Sequence, residues 1–74
     1  MTLRELRQTH GYTQTDVARL IGVSHVTIIN WEFGRSLPTK RHTNKLGRLY
    51  GLDDSAIYHS ALEARANAVK EFGL

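Results

Sequence analysis

Seventy-four residues with a formal charge of +3 and no cysteine make one small domain at most, without disulfides or thiolate metal sites. No apolar run approaches the roughly 20 residues of a membrane span and no signal-peptide core opens the chain, so a reducing cytoplasm is the expected setting. The charge is uneven: residues 1–52 carry eight basic residues against three acidic ones, and residues 53–74 carry two against four. That asymmetry points to a polyanion-facing body and a tail with another task.

Leu3, Leu6 and His10, spaced i, i+3 and i+7, predict a first helix over residues 2–10, ended by Gly11. Arg7 falls on the same inward side, where a guanidinium is costly without a partner. Thr13 followed by Asp16 is a variant capping box and opens a second helix. Val17, Ala18 and Ile21 form its inner face. Gly22 comes next, where a short turn requires a residue tolerant of positive φ, and Val23 is an apolar plug between two crossing helices. Ser24 caps a third helix with Ile28 and Trp31 facing inward and His25, Val26, Ile29 and Asn30 on the opposite face. Gly34 stops it in a left-handed turn.

Residues 35–38 lead to a fourth helix over residues 39–50, whose apolar face is Leu46, Leu49 and Tyr50. Gly47 in mid-helix costs about 1 kcal/mol against alanine, so this helix is expected to be weak alone; a close backbone approach is one reason for a glycine there. Gly51 ends it, and Asp53 or Asp54 caps a fifth helix over residues 55–72. Two apolar stripes run along that helix. Ile57, Ala61, Ala64 and Ala68 form one, and Tyr58, Leu62, Val69 and Phe72 the other. Either the second stripe meets another copy through a two-fold contact, or both fold back on the first and fourth helices.

From residue 3 to about residue 58 the chain resembles the helix-turn-helix family of Cro and the phage repressors, with the motif at residues 14–32. The resemblance rests on Gln14 at the head of the first motif helix, Ala18 and Gly22 where the helices cross and turn, Arg7 with Glu32, and Gly34 with Pro38. It implies an all-α fold: a compact five-helix lambda-repressor-like DNA-binding domain over residues 1–58, with an extended C-terminal helix, residues 54–74, as a dimerisation element. It also implies a structural Arg7–Glu32 ion pair, a Gln14 that touches phosphate and supports the reading helix, and base-reading positions at His25, Val26 and Asn30. Groove chemistry suits Asn30 to adenine, Val26 and Ile29 to thymine methyls, and His25 to donation toward guanine N7 or O6. Ile29 has a second reading, burial after a small shift in helix phase.

Phosphate contacts are expected from Gln14, Ser24, Thr27, Arg35, Lys40 and Arg41, the last two beside free N–H groups at a helix start. Two positions depart from the family. Phe33 replaces an asparagine that would touch phosphate, leaving Phe33 to cover the core edge or join a subunit interface. Thr43 stands where a large aliphatic is usual.

His10, His25, His42 and His59 lack the spacing and the cysteine companions of a zinc site, and no phosphate loop, nucleophile elbow or carboxylate pair is present. No enzyme, metal, cofactor or small-molecule ligand is expected. The expected function is a sequence-specific regulator of transcription, a dimeric repressor of phage, plasmid or mobile-element type, cytoplasmic and nucleoid-associated in a bacterium or phage host. Its partner would be double-stranded DNA carrying an inverted repeat, read by a homodimer with half-site centres roughly 34 Å apart. Activation by touching polymerase is equally open. Two alternatives stand: an antitoxin whose acidic, alanine-rich tail holds a toxin, and a protein-interaction module using Val26 and Ile29. Gln14, Lys40 and Arg41 argue against the module.

Overall fold

Helix starts in this chain are written into its short polar side chains. The computed structural model describes residues 1–73, and of Phe72 the backbone alone. Its five helices are α1 (Leu3–Thr9), α2 (Gln14–Ile21), α3 (His25–Phe33), α4 (Lys40–Tyr50) and α5 (Asp54–Phe72). Thr2, Thr13, Ser24 and Asp53 each accept a hydrogen bond from the backbone N–H three residues on, filling one of the donors a helix start leaves open. Thr2 with Glu5 and Thr13 with Asp16 close full reciprocal boxes. The first and last helices thus begin at Leu3 and Asp54, one residue from the expected positions, and Asp53 rather than Asp54 is the cap of α5.

Leu3, Leu6, Val17, Ile21, Ile28, Trp31, Leu46, Tyr50, Ile57 and Ala61 gather into one core. Ile57 sits at its centre with no exposed surface, a burial worth about 1.5–3 kcal/mol. Ala61, Ala64 and Ala68 continue that stripe along α5 and are buried, so α5 lies across α1, α3 and α4. Only one of the two stripes folds back. Tyr58, Leu62 and Val69 stay exposed, and the side chain of Phe72, expected beside them, lies outside the described residues. Among the described residues, no helix is long and apolar enough to cross a membrane.

His10 departs from its expected inward position. It is the exposed C-cap of α1, its Nδ1 is 2.8 Å from the Leu6 carbonyl oxygen, and its ring lies 5.1 Å from that of Tyr50. The helix runs out before an i+7 residue can turn inward. Gly47 has a definite reason: a Cβ there would overlap the Leu52 carbonyl oxygen. The chain doubles back over α4 at that point, with the Leu52 N–H donating to the Gly47 carbonyl at 2.9 Å. Thr43 is buried and donates its hydroxyl to the Lys40 carbonyl at 2.9 Å, which satisfies a polar atom where an aliphatic would have none.

Candidate nucleic-acid interface

The turn between α2 and α3 sets the geometry of the exposed face. Gly22 adopts φ 83°, and the N–H groups of Gly22 and Val23 both donate to the Ala18 carbonyl, at 2.9 and 3.0 Å. Val23 packs against the core from the turn. Nothing lies within 4 Å of the place a Gly22 Cβ would take, so this glycine answers to backbone conformation alone. Ser24 then caps α3, its Oγ accepting from the Thr27 N–H at 3.1 Å.

Behind α3 lies a connected polar chain. The Arg7 guanidinium grips Glu32 with two bonds, Nε to Oε2 at 2.7 Å and Nη2 to Oε1 at 3.0 Å, while Nη1 donates to the Tyr12 carbonyl at 2.9 Å. The two side chains are 10% and 7% exposed. The Glu32 carboxylate holds the Arg7 guanidinium above its ordinary pKa, so the pair is a charged, bidentate fastening between α1 and α3. Gln14, from the head of α2, donates through Nε2 to Glu32 Oε1 at 3.1 Å, and its Oε1 lies 3.1 Å from His25 Nε2. His25 and Glu32 are seven residues apart, about two turns along one side of α3. Gln14 spans that interval.

Of the four base-reading candidates, His25 and Val26 are exposed, Val26 by 62%. Asn30 and Ile29 are half-buried. Ile29 borders a surface depression with Arg4, Gln14 and Phe33, so it stands between its two readings, neither in the core nor fully outward. The Asn30 carbonyl accepts the N–H groups of Gly34 and Arg35 at 3.0 and 2.9 Å, which secures the end of the helix.

The candidate phosphate contacts divide into engaged and open groups. Ser24 is engaged as a cap, and its Oγ also lies 2.9 Å from Thr27 Oγ1. Arg35 is exposed, with its guanidinium 4.3 Å above the centre of the Phe33 ring. Lys40 and Arg41 are both exposed in the first turn of α4. Thr39, the N-cap of that helix, makes no capping bond, and its Oγ1 instead lies 3.1 Å from His42 Nδ1. No side chain caps the first N–H groups of α4, which lie beside two exposed cations, an arrangement suited to an anion. The His42 ring packs 5.1 Å from Trp31 and ties this helix start to α3. Phe33, half-buried, lines a depression with Arg4, Ala64 and Ala68. That depression lies between α1, α3 and α5.

Sequence reasoning missed Arg4, Lys45 and His42. Arg4 borders the same depression as Gln14 and Ile29, and only its spacing of three from Arg7 hinted at a shared face. Lys45 donates through Nζ to the Ile21 carbonyl at 3.2 Å, placing a cation at the C-terminal end of α2, where the helix dipole favours it. No local signal marks that bond, because donor and acceptor lie on different helices. Among the described residues, no group of three or more His, Cys, Asp or Glu side chains is placed to hold a metal ion.

A family model described as a helix-turn-helix domain matches residues 1–58. An uncharacterized HTH-type transcriptional regulator of Methanocaldococcus jannaschii is 36% identical over 58 residues, which cover 76% of this chain and 88% of that protein. A putative HTH-type transcriptional regulatory protein of Thermococcus kodakarensis is 50% identical over 32 residues, 43% of this chain. The chain spans 10% of that second relative's length. No solved structure matches the chain.

Proposed function

Since this chain belongs to the helix-turn-helix family of DNA-binding transcription regulators, we propose that it reads double-stranded DNA by sequence, inserting the head of α3 into the major groove. The observation that carries this reading is the state of that helix head: Val26 is 62% exposed and the neighbouring His25 is held by Gln14 from behind. An aliphatic at the tip of a braced helix has little use facing water and fits a thymine methyl well. Asn30 reads a second position, Ile29 supports the edge of the contact, and Arg35, Lys40, Arg41 and the open start of α4 take the backbone phosphates.

A helix of nine residues covers few base pairs, so useful specificity calls for two subunits on an inverted repeat. The exposed stripe of Tyr58, Leu62 and Val69 on α5 supports a homodimer, with repression by occlusion of a promoter as its simplest effect.

The test is selection from a random double-stranded DNA pool at about 150 mM salt, where non-specific contacts weaken. An enriched inverted repeat is the expected result, and its spacing measures the distance between the two reading helices. An enriched single half-site keeps the DNA function and removes the dimer. Salt-labile binding without enrichment overturns the base-reading role and turns Val26 into part of a protein-binding surface.

A further inference from the structure

We propose that Gln14 decides which bases His25 accepts, by fixing the proton of the neutral imidazole on Nε2 and leaving Nδ1 as a hydrogen-bond acceptor. This rests on the DNA-reading function above and adds a specificity rule to it. In its neutral form, His25 then selects a base that presents an amino donor in the major groove, adenine or cytosine. It takes a guanine or thymine acceptor only when a second proton makes it an imidazolium.

The inference follows from counting donors and acceptors along one chain of atoms. The Glu32 carboxylate accepts only, and Arg7 already donates to both of its oxygens. The Gln14 atom 3.1 Å from Glu32 Oε1 must therefore be the amide nitrogen, since the amide oxygen there would place two acceptors together. That choice leaves Gln14 Oε1 facing His25 Nε2 at 3.1 Å. An amide oxygen cannot donate, so Nε2 carries the hydrogen. A neutral imidazole has one N–H, and Nδ1 keeps its lone pair. His25 is the exposed first residue of α3, and among the described residues no hydrogen bond engages its Nδ1. Gln14 keeps a second amide hydrogen for a phosphate, so its two roles do not compete.

The charged groups around this assembly are Glu32 on α3 and Arg7 on α1, which neutralise each other, and Arg4 on α1, which borders the same depression. From α2 the group presented is the uncharged Gln14. The locking of the proton thus depends on the orientation of one amide, which the buried ion pair sets from the far side. The major groove offers an amino donor at adenine N6 and cytosine N4, and only acceptors at guanine N7 and O6 and thymine O4. Moving one proton on His25 exchanges cytosine, which offers only a donor, for guanine and thymine, which offer only acceptors, while adenine, with an N7 acceptor beside its N6 donor, is met in both states.

Two measurements test this, and they fail separately. The first needs no DNA: the ring-nitrogen NMR signals of His25 in the full chain at about pH 8, where imidazole is neutral. The Nε2–H tautomer is expected, and Gln14→Ala should shift the signals toward a mixture. An Nδ1–H tautomer in the unaltered protein, or no change in the variant, overturns the proposal.

The second is DNA selection at about pH 8 and about pH 5.5, with His25→Phe identifying the base position that depends on the ring. Cytosine should lead over guanine and thymine there at the higher pH, and guanine or thymine over cytosine at the lower, by about two- to tenfold, with adenine accepted at both. Gln14→Ala should lose that preference while retaining selectivity at the other positions. Guanine favoured equally at both pH values sinks the rule and leaves DNA reading intact. A normal tautomer result with no enriched sequence removes the DNA function itself, and with it the base preference.

Discussion

The two ends of α3 are held in opposite ways. At its C-terminal end Trp31 is buried and packed on His42, Glu32 is gripped by Arg7, and Gly34 passes under the backbone of α5. A Cβ on Gly34 would come within 2.5 Å of the Arg65 Cα, on top of the left-handed φ of 87°. At its N-terminal end Gly22 turns in open space, Val26 faces outward, and one hydrogen bond from Gln14 steadies His25. The structural fastenings are concentrated at one end of the helix, and the side chains proposed to read bases stand at the other. Under that proposal, the tip can change its side chains, and so its target, while the anchorage behind it stays intact.

The sharpest way to break the comparison is at the anchorage. Glu32→Ala leaves Arg7 buried without its carboxylate, an expected loss of about 3–5 kcal/mol in chemical denaturation. A domain of this length holds roughly 4–10 kcal/mol in all, so the variant should lose a large share of its stability and melt at a clearly lower temperature. A loss below about 1 kcal/mol would show that the pair does not fasten α1 to α3.

Next come the two glycines, which differ only in what surrounds them. Gly34→Ala meets both an unfavourable φ and the Arg65 backbone, and should cost about 2–4 kcal/mol. Gly22→Ala meets the φ penalty alone, about 1 kcal/mol. Equal losses at the two positions would mean that α5 yields easily and does not clamp the end of α3.

Alkaline titration probes the anchored side through Tyr50, which borders the core beside Glu32 and Trp31. Burial, with the Glu32 charge adding to it, pushes its phenol from 10.0 up to about 12. A folded-state value above the unfolded one means a contribution intact below pH 10 and lost as pH rises through 12. The size is at most about 3 kcal/mol. Tyr50→Phe should flatten stability over that window, and an unchanged alkaline slope would place the loss elsewhere.

The smallest structural effect belongs to the tip. Val26→Ser should move stability by no more than about 0.5 kcal/mol, yet weaken binding to the selected DNA about fivefold through the lost apolar contact. Full affinity in this variant would take Val26 out of the groove.

How much of this was legible beforehand differs from residue to residue. Asp16 three places after Thr13 announced the start of α2, and Gly22 and Gly34 announced the ends of α2 and α3, because those signals act within one turn of chain. The Arg7–Glu32 pair followed from the family resemblance and the need of an inward arginine for a partner, and the structure places the two together. Ile29 resisted because a residue at the boundary of a face has no phase that decides it; a few degrees of rotation against α1 settle its burial. Arg4 and Lys45 read as ordinary surface charges, since each owes its place to a different helix.

By itself, then, the sequence determined where the helices begin and end to within a residue, which faces of α2 and α3 carry the core, and that His25 and Val26 stand on the outer face of α3. Capping, φ tolerance and hydrophobic period are local properties, readable within a few residues. Only the tertiary structure decided that Gly34 is required by backbone passing close above it, that the alanine stripe of α5 is the one that packs, and that Gln14 joins Glu32 to His25. Those outcomes depend on atoms brought together from distant parts of the chain, where a difference of a few tenths of an ångström or the facing of one amide settles the result.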